Sequence, residues 1–233
     1  IRNNAGIIVT NNGSVEVGYR LYIYNLNTWI NAANSTLRLM NSVNNGTLIA
    51  KAAGNTVVYA SPNNQTIFRP EDDTYYNLVL SGGNTKSLQA DLTVLGDLTN
   101  TATFNAADFN INLRGSWTNN LLFTEGTGTV FLNGSGDQTL NLPSDGYFNN
   151  LQVDKTAGSV NMSTDIQVGG TLTMLNGNIN TNGNVLTLGT GVSSTGTLSH
   201  FSGSIVGQFK RWVNTEGVAY GFPVGTASSL YEL

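Results

Sequence analysis

The sequence predicts an all-β fold, a parallel β-helix (solenoid) of about ten short coils with no significant helix. Three observations predict it. Short runs of alternating apolar residues, Val130–Leu132, Thr139–Leu142, Leu151–Val153 and Ile166–Val168, are each closed by Gly, Asn or Asp. The text also recurs: Gln138-Thr139-Leu140 answers Gln65-Thr66-Ile67 73 residues earlier, Leu151 answers Leu78 at that interval, and Ile166 to Leu172 answers Leu92 to Leu98 at 74. Third, nothing reads as an amphipathic helix: Ser35–Met40 starts one, and Asn, Ser, Val and Asn end it.

Strands of three to five residues separated by Gly- or Asn-bearing corners suit a coil, and coils of about 20 to 25 residues would divide the repeat into three. An immunoglobulin-like sandwich needs longer strands in units of about 100 residues. A propeller blade of about 40 to 50 residues divides the repeat poorly. Parallel strands need a crossover, and with no helices the next turn of the coil supplies it. Inward Val, Leu and Ile then stack from coil to coil, Asn stacks at corners, and Gly and Asn accept the positive φ of sharp bends.

In chain order, residues 1–55 hold strands Ile7–Val9, Val15–Val17, Leu21–Tyr24, Leu37–Met40 and Thr47–Ala50. Asn11-Asn12-Gly13, Asn25 to Asn27, Asn31 to Asn34 and Asn44-Asn45-Gly46 separate them. This part reads as the latter half of an earlier copy, with Trp29-Ile30-Asn31 matching Trp117-Thr118-Asn119. Full copies occupy 56–129 and 130–190, so repeats span 1–190. Residues 191–233 form a terminal β region with a longer, flatter strand pattern over Ser204–Val213, and the piece is expected to continue into a longer parent chain.

Composition narrows the function. Charged residues are only 10% against the roughly 25% usual for soluble domains, so Asn, Thr, Ser and Gly carry the polarity. A net charge of −4 argues against a nucleic-acid partner, which calls for a basic stripe. There are no cysteines, hence no disulfides or thiolate metal sites. No apolar run is long enough to span a bilayer.

Val130-Phe131-Leu132-Asn133-Gly134, Gln138-Thr139-Leu140, Tyr147-Phe148-Asn149-Asn150-Leu151, Leu92 to Leu98 and Tyr220-Gly221-Phe222-Pro223-Val224-Gly225-Thr226 stand in order along the chain. Over roughly residues 50–226 this text resembles the repetitive cell-surface proteins that Bacteroidetes-type bacteria export by the type IX secretion pathway. The resemblance implies an extracellular, cell-surface location, a β-helical stalk or fibre, and a role in adhesion, surface motility or contact with other cells. The family's signal peptide and sorting domain are not in this sequence.

No catalytic, cofactor-binding or metal-binding residue is expected. His200, the only histidine, lies in Leu198-Ser199-His200-Phe201, which resembles neither a nucleophile turn nor a metal pair. Glu71-Asp72-Asp73 lacks the spacing of a calcium loop and reads as a solvated loop. Asp91 and Asp165 recur 74 residues apart, which marks them as corner residues rather than a catalytic pair. Trp29, Trp117 and Trp212 are the candidate glycan-contact aromatics, weighed against packing in the core. The first reading is therefore a non-enzymatic structural or adhesive segment, with possible self-association into fibres. The alternatives are a carbohydrate-active β-helix enzyme (lyase or hydrolase) and a non-catalytic glycan-binding module. The surface or glycan ligand is not legible.

Overall fold

The computed structural model describes residues 6–24, 26–143, 147–226 and 229–232. Asn25, expected in a corner, lies outside them. The chain is a right-through stack of parallel strands, a β-solenoid of about 11 turns. Among the described residues the one helical element is a three-residue 3-10 turn at Glu71–Asp73.

Each coil has three faces. In the fifth coil these are Leu92–Val94, Leu98–Asn100 and Thr103–Asn105. In the sixth they are Ile111–Leu113, Trp117–Asn119 and Phe123–Thr124. Each strand pairs parallel with its equivalent one coil on: Leu92 with Ile111, Leu98 with Trp117, Phe104 with Phe123. Inward residues thus form columns, one running Val15, Leu37, Val57, Leu78, Leu98, Trp117, Leu140, Met162 along the second face. A column on the first face runs Leu92, Ile111, Val130, Leu151, Leu172, Leu198. The columns merge into one continuous buried core from Leu21 to Ile205. This alternation of buried and outward residues is why the apolar runs are short and the intervening positions polar.

The expected division of the 73-residue repeat into whole coils is overturned. Gln65 sits on a third face and its counterpart Gln138 on a second; Leu78 sits on a second and Leu151 on a first. The copies are one face short of four coils apart. Strand, corner and next strand follow the same inward–outward rule on every face, so the repeated text fits whichever face it meets. The weaker match of Trp29 to Trp117 also crosses faces, since Trp29 pairs with Val9 and Leu48.

Stacking runs on past residue 190. Thr197–His200 and Ile205–Arg211 both lie parallel on the run Thr171–Leu188. Only then does the pattern turn back, where Pro223–Gly225 pairs antiparallel with Leu230–Glu232. Residues between Arg211 and Gly225 turn back against the last long strand, and Val224 pairs parallel with Ile205: Phe222 meets Phe209 edge-on at 5.8 Å, Arg211 lies over Tyr220, and its Nη1 donates to Gly221 O at 2.9 Å.

Polar side chains bind coil to coil as well. Inside, Asn11 Nδ2 donates to Asn31 Oδ1 at 2.7 Å and Asn31 Nδ2 to Asn55 Oδ1 at 3.2 Å. Asn100 Nδ2 donates to Asn119 Oδ1 at 2.6 Å. At the outer corners an acid or amide accepts the backbone N–H of the next coil: Asn77 from Asp97, Asp97 from Ser116, Asp108 from Thr127, Asp137 from Ser159. Such bonds can form only where equivalent corners lie one coil apart.

Candidate functional surfaces

Of the three tryptophans, two are core residues. Trp117 is 0% exposed and packs against Phe104, Phe123 and Phe148 with centroids 4.9 to 6.2 Å away. Trp29 is 7% exposed. Both are corrections to the expectation of glycan-contact aromatics, because both rings point inward from their strands; Trp117 is fully enclosed and Trp29 lines only the interior of the first coil. Trp212 differs. It is half-buried beyond the last long strand, and the Lys210 Nζ lies 4.9 Å from its ring centroid.

His200 occupies an inward column above Met174 and donates from Nε2 to Gly203 O at 2.9 Å. Glu71-Asp72-Asp73 is not an open acid loop: Lys51 pairs with Glu71 and Asp72, and Arg69 pairs with Asp73. Asp91 accepts the backbone N–H of Asn110 at 2.9 Å, and Asp165 that of Val185 at 2.8 Å. Each serves the corner of its own coil, and nothing brings them together. Among the described residues no three His, Asp or Glu side chains are grouped to hold a metal ion, and no helix is long and apolar enough to cross a membrane.

Sequence reasoning missed two buried lysines. Lys86 is 0% exposed, its ammonium donating to Ser61 O at 2.8 Å, Gly83 O at 2.6 Å and Asn63 O at 3.3 Å. Lys155 is 3% exposed and donates to Gly134 O at 2.9 Å and Gln138 Oε1 at 2.7 Å. The glutamines of the two copies complete the same device. Gln65 Oε1 accepts from Ser61 N and its Nε2 reaches Leu39 O and Asn41 O. Gln138 Oε1 accepts from Gly134 N and its Nε2 reaches Leu113 O and Gly115 O. In each copy the residue four before the glutamine gives its N–H to that glutamine and its carbonyl to a lysine of the next coil. Burial lowers the pKa of both lysines, Lys155 to about 8, where the Asp137 carboxylate opposes the shift. A signal existed: Lys155 continues the inward phase of Leu151 and Val153, as Lys86 shares that of Leu88.

Tyr59 and Tyr75 form another internal network. Tyr75 OH donates to Phe68 O, Phe68 N donates to Tyr59 OH, and the hydroxyls lie 2.6 Å apart. Burial raises both phenols well above their usual range.

A cavity of about 230 Å³ opens at the N-terminal end of the coil, lined by Val9, Val17, Leu21, Ile23 and Trp29 with Arg20 among its polar lining residues. It is the interior of the first coil, seen end-on. No family model, no curated protein and no solved structure shows a significant match to this chain.

Proposed function

We propose that the chain is a non-enzymatic structural or adhesive segment of a large secreted bacterial surface protein, working as a stiff β-helical stalk or fibre element in cell-surface attachment or cell–cell contact. The observation that carries this reading is the way titratable and amide groups are used. The buried amides, lysines and tyrosines described above, and the corner acids, are bonded within the coil or to its neighbours, which supports a mechanical rather than a chemical role. The outward strand positions present Thr, Asn, Gln and Ser, including Thr93, Thr99, Asn112, Thr118, Gln152 and Thr173. A surface location and export by the type IX pathway rest on the resemblance of the repeat text. Acidic balance and the absence of a basic stripe speak against nucleic acid as partner.

The test joins location to activity. Protease shaving of intact cells that make the parent protein should release peptides of this segment, and beads coated with the chain should adhere to cells or glycans. Retention of the peptides inside intact cells, or cleavage of a member of a polysaccharide panel by the purified chain, would overturn the reading. A glycan-binding module is favoured by one observation, the half-buried Trp212 beside Lys210. It requires that Trp212→Ala abolish glycan-array binding.

A further inference from the structure

Five Asn-Gly pairs stand in the chain: Asn12-Gly13, Asn45-Gly46, Asn133-Gly134, Asn176-Gly177 and Asn182-Gly183. An asparagine before glycine is open to attack on its own side-chain amide, because no Cβ shields the glycine nitrogen and the backbone bends freely there. In a folded chain the outcome depends on what holds that nitrogen and on the room for a ring. Gly13 N donates to Asn11 Oδ1 at 3.0 Å and Gly134 N to Gln138 Oε1 at 3.0 Å, so both nitrogens are engaged. Gly46 and Gly177 are crowded: a Cβ there would stand 2.2 Å from Ile23 O and 2.8 Å from Lys155 Cβ. The Asn176 amide is also tied to Asp154 Oδ1 at 2.8 Å.

Asn182-Gly183 differs on each count. Both residues are exposed, both have positive φ (52° and 88°), and nothing lies within 4 Å of the Gly183 Cβ position. Strand register with the coil below stops at Asn180 and resumes at Leu186; with the coil above it stops at Asn180 and resumes at Val185. The Gly183 nitrogen therefore sits outside both ladders. The corner is an interior one, since Ile205–Arg211 lies above it. We propose that Asn182 is a site of spontaneous modification, converted through a succinimide to aspartate and isoaspartate while the other four pairs stay intact. In the first step Gly183 N gives up its proton and bonds to Asn182 Cγ, and the Cγ–Nδ2 bond breaks to release ammonia. In the second, one water opens the ring at either carbonyl and leaves a carboxylate. The corner thereby gains one negative charge and, in isoaspartate, one more backbone methylene. The stack accommodates the change, because register is already broken there. Asn182 Nδ2 donates to Met162 O at 3.2 Å, and Asn184 Nδ2 reaches the same carbonyl at 3.4 Å, so that carbonyl keeps a donor when the amide is lost. The inference does not rest on the adhesive reading; its failure leaves that reading standing.

Incubating the whole chain in warm, mildly alkaline buffer, folded and in urea, tests it. Peptide mass spectrometry with electron-transfer fragmentation locates each amide-to-acid conversion and separates aspartate from isoaspartate. In urea all five pairs should convert at comparable rates. In the folded chain Asn182 should convert nearly as fast as in urea. The other four need local opening first and should lag by about tenfold or more. Asn182→Gln, whose longer side chain closes a ring far more slowly, should remove the signal with an unchanged thermal melt. An intact Asn182 in the folded chain, after the unfolded chain has converted, overturns the proposal. So does earlier conversion at any of the other four pairs, or equal rates at all five in the folded chain.

Discussion

Lys155 reaches across one coil to place its ammonium 2.7 Å from the Gln138 side-chain oxygen, and both groups are buried. A charge taken out of water is tolerated only where acceptors replace its hydration. Here Gly134 O and Gln138 Oε1 do so, while Gln138 also satisfies Gly134 N, Leu113 O and Gly115 O. Gln138→Ala leaves several of these groups and the ammonium without partners, and should cost about 3–5 kcal/mol. The paired change Gln138→Leu with Lys155→Met should cost less than the sum of the single ones. Urea denaturation of the four proteins measures the coupling.

The same lysine gives a pH dependence whose sign is fixed. Burial holds Lys155 at about 8 in the folded chain and lowers Lys86 as well, against about 10.4 in the unfolded chain. Between those values the unfolded state binds more protons, so stability rises with pH. Below about 8 this contribution is flat. The urea midpoint should therefore increase from pH 7.5 to 9.5, and Lys155→Met should remove most of the rise. Above about pH 10 the trend reverses, because Tyr59 and Tyr75 are held protonated in the fold while unfolded tyrosines ionise.

The internal asparagine ladder behaves as a unit. Asn31→Val removes one of two acceptors of Asn11 Nδ2 and the donor to Asn55 Oδ1, and should cost about 2–4 kcal/mol. Asn119 ends its ladder with Nδ2 unpaired; one coil on, the register brings the apolar Leu142. Leu142→Asn should be tolerated better than a typical buried Leu→Asn change, because it supplies that missing acceptor. Thermal melts of both variants check this.

Close stacking makes some glycines obligatory and others not. A Cβ at Gly203 would lie 2.0 Å from Gly177 O, and its φ is +85°. Gly183 has φ +88° but open space, and Gly136 has neither constraint. Replacement by Ala should therefore cost several kcal/mol at Gly203, about 1 kcal/mol at Gly183 and almost nothing at Gly136. Equal effects at the three sites would contradict the stacking distances.

Much of this was legible in the sequence. The runs Val15–Val17, Leu92–Val94, Val130–Leu132 and Ile166–Val168 lie in the strands that alternation predicts, and Asp91 and Asp165 stand at corners. The coil length expected from the text is close to the observed spacing, but the phase of the repeat was hidden, because Gln65 and Gln138 follow the same local rule on different faces and the text does not record which face it occupies. The tryptophans misled for a related reason: a large ring reads alike whether it fills a column, as Trp117 does, or stands at the end of the stack, as Trp212 does. Lys86 and Lys155 were passed over because lysine is ordinarily solvated; their inward phase was the one clue.

The stacking itself can be tested by cysteine pairing, since the chain has no cysteines of its own. Thr99 and Thr118 are direct partners on adjacent coils, and Thr99 and Asn112 are not. Parallel neighbours lie about 4.8 Å apart, within reach of a disulfide. Mild oxidation should close Thr99→Cys/Thr118→Cys rapidly and leave Thr99→Cys/Asn112→Cys reduced. Closure of the second pair in place of the first would mean that the strands do not wind as successive coils.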